Sequence, residues 1–199
     1  MGGLTMAYSM DKAAKEREQV LIANGLKAGI LDLRKDIKII ASWDQALQHL
    51  ERNDRQWAAE YVGRYFHEMA GFNYAFVLDH RNRLFFAAHE GVPQAADIYR
   101  PFTASMQRAI DMVRSRERQD DRRDLPANAL RQPLAEHNIV KADGHVYVAI
   151  VTLVQSDFRR MQQIHDRAPI IIALHRVDGA FLKRIGIRYL EPGLSVRQV

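Results

Sequence analysis

LKAGILDLRKDIKIIASWDQALQHLERNDRQWAAEYVGRYFHEMAGFNYAFVLD, residues Leu26 to Asp79, contains two helical patterns and then a strand. Leu26, Ile30, Leu33, Ile37, Ile40, Leu47 and Leu50 fall on one helical face and predict one long helix from about Asp11 to Leu50. Asp44, directly after Trp43, interrupts that face with an acid, which is costly to bury without a partner. Asn53 or Asp54 is a suitable N-cap for a second helix, to about Ala70, with Trp57, Tyr61 and Tyr65 in line. Gly71 can close it in a left-handed conformation, and Tyr74 to Leu78 then reads as a buried strand.

Outward from this stretch, Arg83 to Ala88 predicts a second strand across the turn Asp79-His80-Arg81-Asn82. Ile98 to Arg118 reads as a helix, with Pro101 in its first turn and Phe102, Met106, Ile110 and Val113 along its apolar line. Asp143-Gly144 marks a hairpin between strands at His137–Ala142 and His145–Gln155. Pro169–Val177 is a fifth strand, and Asp178 caps a short helix carrying Phe181, Leu182 and Ile185. Arg114–Asp124 is nearly neutral and reads as a solvated helix end, and Ser156–Arg167 as a polar loop. The expected fold is α+β: a long N-terminal helix, then a PAS- or Cache-like five-stranded antiparallel sheet with covering helices on one side. The expected divisions are 1–10 disordered or foreign to the natural protein, 11–52 signalling and dimerisation helix, 53–194 sensor domain and 195–199 tail.

Composition narrows the function classes. With no cysteine, disulfides, thiolate zinc sites and cysteine nucleophiles are excluded. The runs Val146–Val154 and Ala168–Leu174 fall far short of the ~20 residues needed to span a bilayer. The eight histidines are scattered, and His67-Glu68 and His89-Glu90 lack a second histidine four residues on, so no metal is expected. No phosphate-binding glycine loop or nucleophile elbow is present, so no catalytic residue and no cofactor are assigned. Acids interrupt the Arg-rich segment and it has no aromatics, which argues against nucleic acid.

Candidate ligand contacts are Trp43, Asp44, Tyr65, Arg100, Tyr147, Thr152 and His175. Trp43 and Asp44 either pack and hydrogen-bond structurally or line a pocket and transmit its state. The line of Tyr61 and Tyr65 has the same two readings. Arg100, at the start of the crossover helix, could grip a carboxylate through two parallel hydrogen bonds. Tyr147, Thr152 and His175 lie on central strands, and register decides which of them face a pocket.

Ala41-Ser42-Trp43-Asp44-Gln45-Ala46, Trp57, Gly71 to Asp79, Ala168 to Ile172 and Val177 to Leu182 together resemble the extracellular sensor domain of the fourth CHASE class. The resemblance covers about Glu16 to Leu194. It implies a periplasmic ligand-sensing domain, without enzymatic activity, of an inner-membrane protein. Such a domain passes small-molecule binding to a cytoplasmic diguanylate cyclase, phosphodiesterase or histidine kinase. The flanking spans are not in this sequence, and it ends soon after Leu194, which implies an excised domain shortened at its C-terminus. An unidentified small molecule is expected between the sheet and the crossover helix, and a homodimer along the N-terminal helices. The alternative is a cytoplasmic PAS- or GAF-like interaction module; a second is a small α+β hydrolase.

Overall fold

The computed structural model describes residues 3–120, 133–156 and 163–186. The parts of the charged segment, the polar loop and the tail that lie at 121–124, 157–162 and beyond 186 fall outside these residues. The chain forms two compact units. One combines α1 as far as Asp32 with α6, and the other is Leu33–Val177.

Helix α1 spans Gly3–Ala41, so it starts before Asp11 and stops before Leu50. The expected single helix is broken at Ser42 and Trp43, and α2 (Asp44–Glu51) starts afresh. The apolar stripe survives the break: Leu33, Ile37, Ile40, Leu47 and Leu50 are all buried. Asp54 caps α3 (Arg55–Ala58) by accepting the Trp57 N–H. The chain continues through a π-helical turn (Ala59–Arg64) into α4 (Tyr65–Ala70), which Gly71 closes at φ +70°.

Strands β1 (Tyr74–Leu78), β2 (Leu84–His89), β3 (Val92–Pro93), β4 (Ala135–Ala142), β5 (His145–Leu153) and β6 (Ile170–Arg176) form one antiparallel sheet, in the order β3-β2-β1-β6-β5-β4. This is the predicted PAS- and Cache-like arrangement with six strands instead of five. The addition is Val92–Pro93, which pairs with the end of β2. Asp143 and Gly144 both have positive φ, which joins β4 to β5 through a two-residue turn.

Both sheet faces are covered, not one. Ile170 to Leu174 are all wholly buried, and a strand buried on alternate and intervening residues needs a layer on each side. Helix α5 (Thr103–Asp120), entered through a 3-10 segment at Ala96–Phe102, covers one face. There Phe102, Met106, Ile110 and Val113 pack with Phe76, Tyr147, Ala149, Ile172 and Leu174. On the other face lies the π-helical turn. A Cβ on its Gly63 would stand 3.3 Å from the Phe86 ring and 3.4 Å from Ala88 Cβ. The end of α1 is tied to the strands by Arg34 Nη2, which donates to Ala135 O, and by Gln155 N–H, which donates to Ala41 O. In the smaller unit, Gly29 makes room for Phe181 of α6 (Gly179–Arg184) and for Ile185 directly after it.

The β1–β2 turn is organised by buried Asp79, which accepts the N–H groups of Arg81 and Arg83 and Nε of Arg83. Burial pushes this carboxyl's pKa up, but the Arg83 and Arg81 hydrogen bonds outweigh it and hold the group below its ordinary 3.8. A lowered folded-state pKa contributes stability that is complete above the unfolded value and is lost as pH falls through the folded one. Denaturation curves taken from about pH 5 to about pH 2 should therefore fall less steeply with acid for Asp79→Asn than for the wild type. Parallel curves would assign the acid loss to other carboxylates.

Candidate ligand site

The break after α1 removes the apparent conflict at Asp44. The carboxylate is the first residue of α2 and only half-buried, where the exposed N–H groups of a helix start favour negative charge. Trp43 is not in the core. It is 37% exposed and sets its ring edge against Tyr61 at 6.1 Å, at the end of a ladder through Trp57 to His49. Tyr65 is half-buried on α4. Thr152 and His175 lie on the sheet face away from α5. Thr152 Oγ1 donates to Leu134 O, and His175 meets Phe72 edge-on. Arg100 is exposed in the 3-10 segment, while its neighbour Tyr99 turns inward onto Phe76, rings 4.8 Å apart. The seven candidates therefore occupy different faces. Only Tyr147 projects into the layer beneath α5.

That layer is filled by side chains. Phe76, Phe102 and Met106 are wholly buried there, so the interior expected to hold a small molecule is occupied. The described cavities lie elsewhere: a cleft of about 130 Å³ at the β2–β3 edge, and an open basin of about 410 Å³ by the β1–β2 turn.

Polar atoms gather at the end of the filled layer, where β1 begins and β2, β4 and β6 finish. The Tyr74 ring stacks on His89, its cross-strand partner, at 4.4 Å and meets Tyr147 edge-on at 5.7 Å. Arg176 Nη2 donates to His145 Nδ1 at 2.7 Å, and Arg176 N–H donates to Asn73 Oδ1. Burial pushes Tyr99 up to about 12, and burial with the Tyr74 phenol beside it pushes Tyr147 up to about 12. Both stay neutral hydroxyl groups across the physiological range. Apolar rings with hydroxyl, imidazole and guanidinium groups at the margin can stack on a small organic molecule and fix its polar end. Tyr74, His89, Tyr99, His145 and Arg176 were missed in sequence. The pairing of Tyr74 with His89 depends on register, which the hairpin loop length could have suggested.

Among the described residues, no three His, Asp or Glu side chains converge to hold a metal ion, and no helix is long and apolar enough to cross a membrane. A family model described as the CHASE4 domain matches residues 26–197. The chain belongs to the CHASE4 family. No curated protein is similar enough to the chain to match it. CHASE4 is a family of sensor domains, typically extracellular parts of membrane proteins. In this CHASE4 domain Trp43 and Asp44 lie at the junction between α1 and α2, and Tyr74–Leu78 forms a central strand, between β2 and β6, whose first residue belongs to the aromatic margin.

Proposed function

We propose that this chain is the periplasmic ligand-sensing unit of an inner-membrane signalling protein, with its ligand held at the aromatic margin around Tyr147. The observation that carries this reading is the CHASE4 match over a PAS-like sheet on which one of the predicted site residues, Tyr147, stands among convergent polar groups. Since the layer beneath α5 is filled, a small molecule enters by displacing Tyr99 from the 3-10 segment. Its differential contacts shift a population between two arrangements. Helix α1 then passes the shift to a membrane span and a cytoplasmic cyclase, phosphodiesterase or kinase, in a homodimer paired along α1.

A panel of organic acids, amino acids and amines, scored by thermal shift and calorimetry, tests the site. A ligand at a hundred times its Kd should stabilise the fold by about 2.7 kcal/mol. Tyr147→Phe, which keeps the ring and removes the hydroxyl, should weaken that ligand several-fold with little change in melting temperature. A ligand whose affinity is untouched by both Tyr147→Phe and Tyr99→Ala binds elsewhere and refutes the assignment.

A further inference from the structure

The far end of the sheet, where β1 finishes and β6 begins, carries a second constellation with different chemistry. The basin of about 410 Å³ there is lined by His80, Arg81, Ile164, His165, Asp166 and Arg167. We propose that it binds a small free oxyanion, a carboxylate or phosphate, between the Arg81 and Arg167 guanidiniums and the paired imidazoles of His80 and His165. This is independent of the sensor reading and of the aromatic margin.

Four observations carry it. First, the two imidazoles stack face to face, 3.8 Å between centroids and 20° between planes. That arrangement is unfavourable for two cations and is relieved by a neighbouring negative charge. Second, the cations are unequally matched. Arg83 has Asp79 as its carboxylate partner and Arg114 has Glu117, each at 2.8 Å. Among the described residues, Arg81 and Arg167 have no carboxylate partner. Arg167 Nη2 reaches only the neutral Asn82 Oδ1, at 3.1 Å, an oxygen already used by Arg114 Nε. Third, Arg167 Nε is buried with no acceptor among the described residues. A buried guanidinium donor without a partner costs free energy that an oxyanion would recover, and Arg presents a planar fork suited to one. Fourth, the walls are fixed. Glu51, itself buried, accepts the Ile164 and His165 N–H groups, and Glu117 accepts the Ala168 N–H at 2.7 Å. The loop 163–168 is thus held by carboxylates from two helices, and the turn 79–83 by Asp79, so little ordering is left for binding to do.

Asp166, exposed at the margin, is the opposing charge. Its repulsion favours an anion seated deep, against Arg167. Burial, and then the neighbouring His165, hold the His80 imidazole below the ordinary 6.5, and an anion favours its protonated form, so binding should tighten as pH falls below 6.5. The other charged groups facing the imidazoles are Asp79, Arg81 and Arg83 on the turn, Asp166 and Arg167 on the loop, Glu51 on α2, and Arg114 and Glu117 on α5.

Titration of the whole chain with inorganic phosphate, and separately with malonate, tests this by calorimetry and by NMR of the imidazole resonances. The expected result is saturable one-site binding that moves His80 and His165, weakens with added salt and tightens with acid. Arg167→Gln should weaken binding roughly tenfold or more, the worth of a charge-assisted hydrogen bond. Arg81→Gln, at an exposed position, should weaken it less, and Asp166→Asn should tighten it. Phosphate and malonate affinities show which oxyanion geometry the fork prefers. The proposal is overturned by any of three results: no saturable change at concentrations that would fill a millimolar site, binding indifferent to both Arg variants, or sedimentation with anionic phospholipid vesicles in place of free-anion binding.

Discussion

Replacing Glu117 with Ala should lower stability by about 3–5 kcal/mol, because it leaves the Arg114 charge buried and unmatched. Arg114 and Glu117 are 3% and 5% exposed and meet at 2.8 Å. Glu117 also takes the Ala168 N–H, and Arg114 Nη1 donates to Ala168 O, so the pair fastens α5 to the start of β6. The loss corresponds to roughly 10 °C in melting temperature for a unit of this size. Removing both charges should be milder than removing one, since Arg114→Leu with Glu117→Leu leaves no isolated ion. Recovery stays incomplete, because the Ala168 N–H still lacks its acceptor. Urea denaturation of the single and double variants decides this. A double variant less stable than Glu117→Ala would mean that Arg114 stabilises through Asn82 and Ala168 even without Glu117.

Phe102→Ala should also cost about 3–5 kcal/mol, the usual range for emptying a buried aromatic site. Phe102 is wholly buried where the 3-10 segment hands over to α5, and its ring lies 4.9 Å from Tyr74, 5.7 Å from Phe76 and 6.0 Å from Tyr147. Its removal takes away the common neighbour of the aromatic margin. The near-ultraviolet dichroism of the tyrosines should weaken even in the fully folded protein. Phe102→Leu, which keeps most of the volume, should cost less than half as much. If Phe102→Ala costs under about 1 kcal/mol, the layer beneath α5 is not packed as described.

Much of this architecture was legible in the chain. The apolar run Tyr74–Leu78, the Asp143-Gly144 turn and the Asp178 cap each combine local chemistry with a local consequence, and each appears where expected. The break at Ser42 and Trp43 was hidden because Ile40 and Leu47 are seven residues apart, two turns, so the stripe keeps phase across it. No Pro or Gly marks the place. Asp44 was the signal: an acid there fits a helix start better than a helix middle. The sixth strand is two residues long and contains Pro93, too little to carry a periodicity. The second covering layer was missed because wholly buried strands show no alternation to say what lies on either side. The buried Glu117 was hidden in a charged run. Yet it continues the apolar line of Met106, Ile110 and Val113 by one more turn, and an acid in such a line calls for an inward partner.

The candidate site was less legible for a related reason. Tyr147, Thr152 and His175 all lie on central strands, but strand parity puts the first on one face and the other two on the opposite face. Parity relative to a covering helix is a tertiary property. The basin residues were further masked by their turn composition, since Asp79-His80-Arg81-Asn82 looks like connecting chemistry alone.

The central claim is that this CHASE4 domain works outside the cytoplasm and reports across a membrane. In the natural gene product, alkaline phosphatase and β-galactosidase can each be fused after Val199, since the first is active only when exported and the second only when retained. The account predicts strong phosphatase activity with negligible galactosidase activity. The reverse pattern would contradict it and favour the cytoplasmic interaction module.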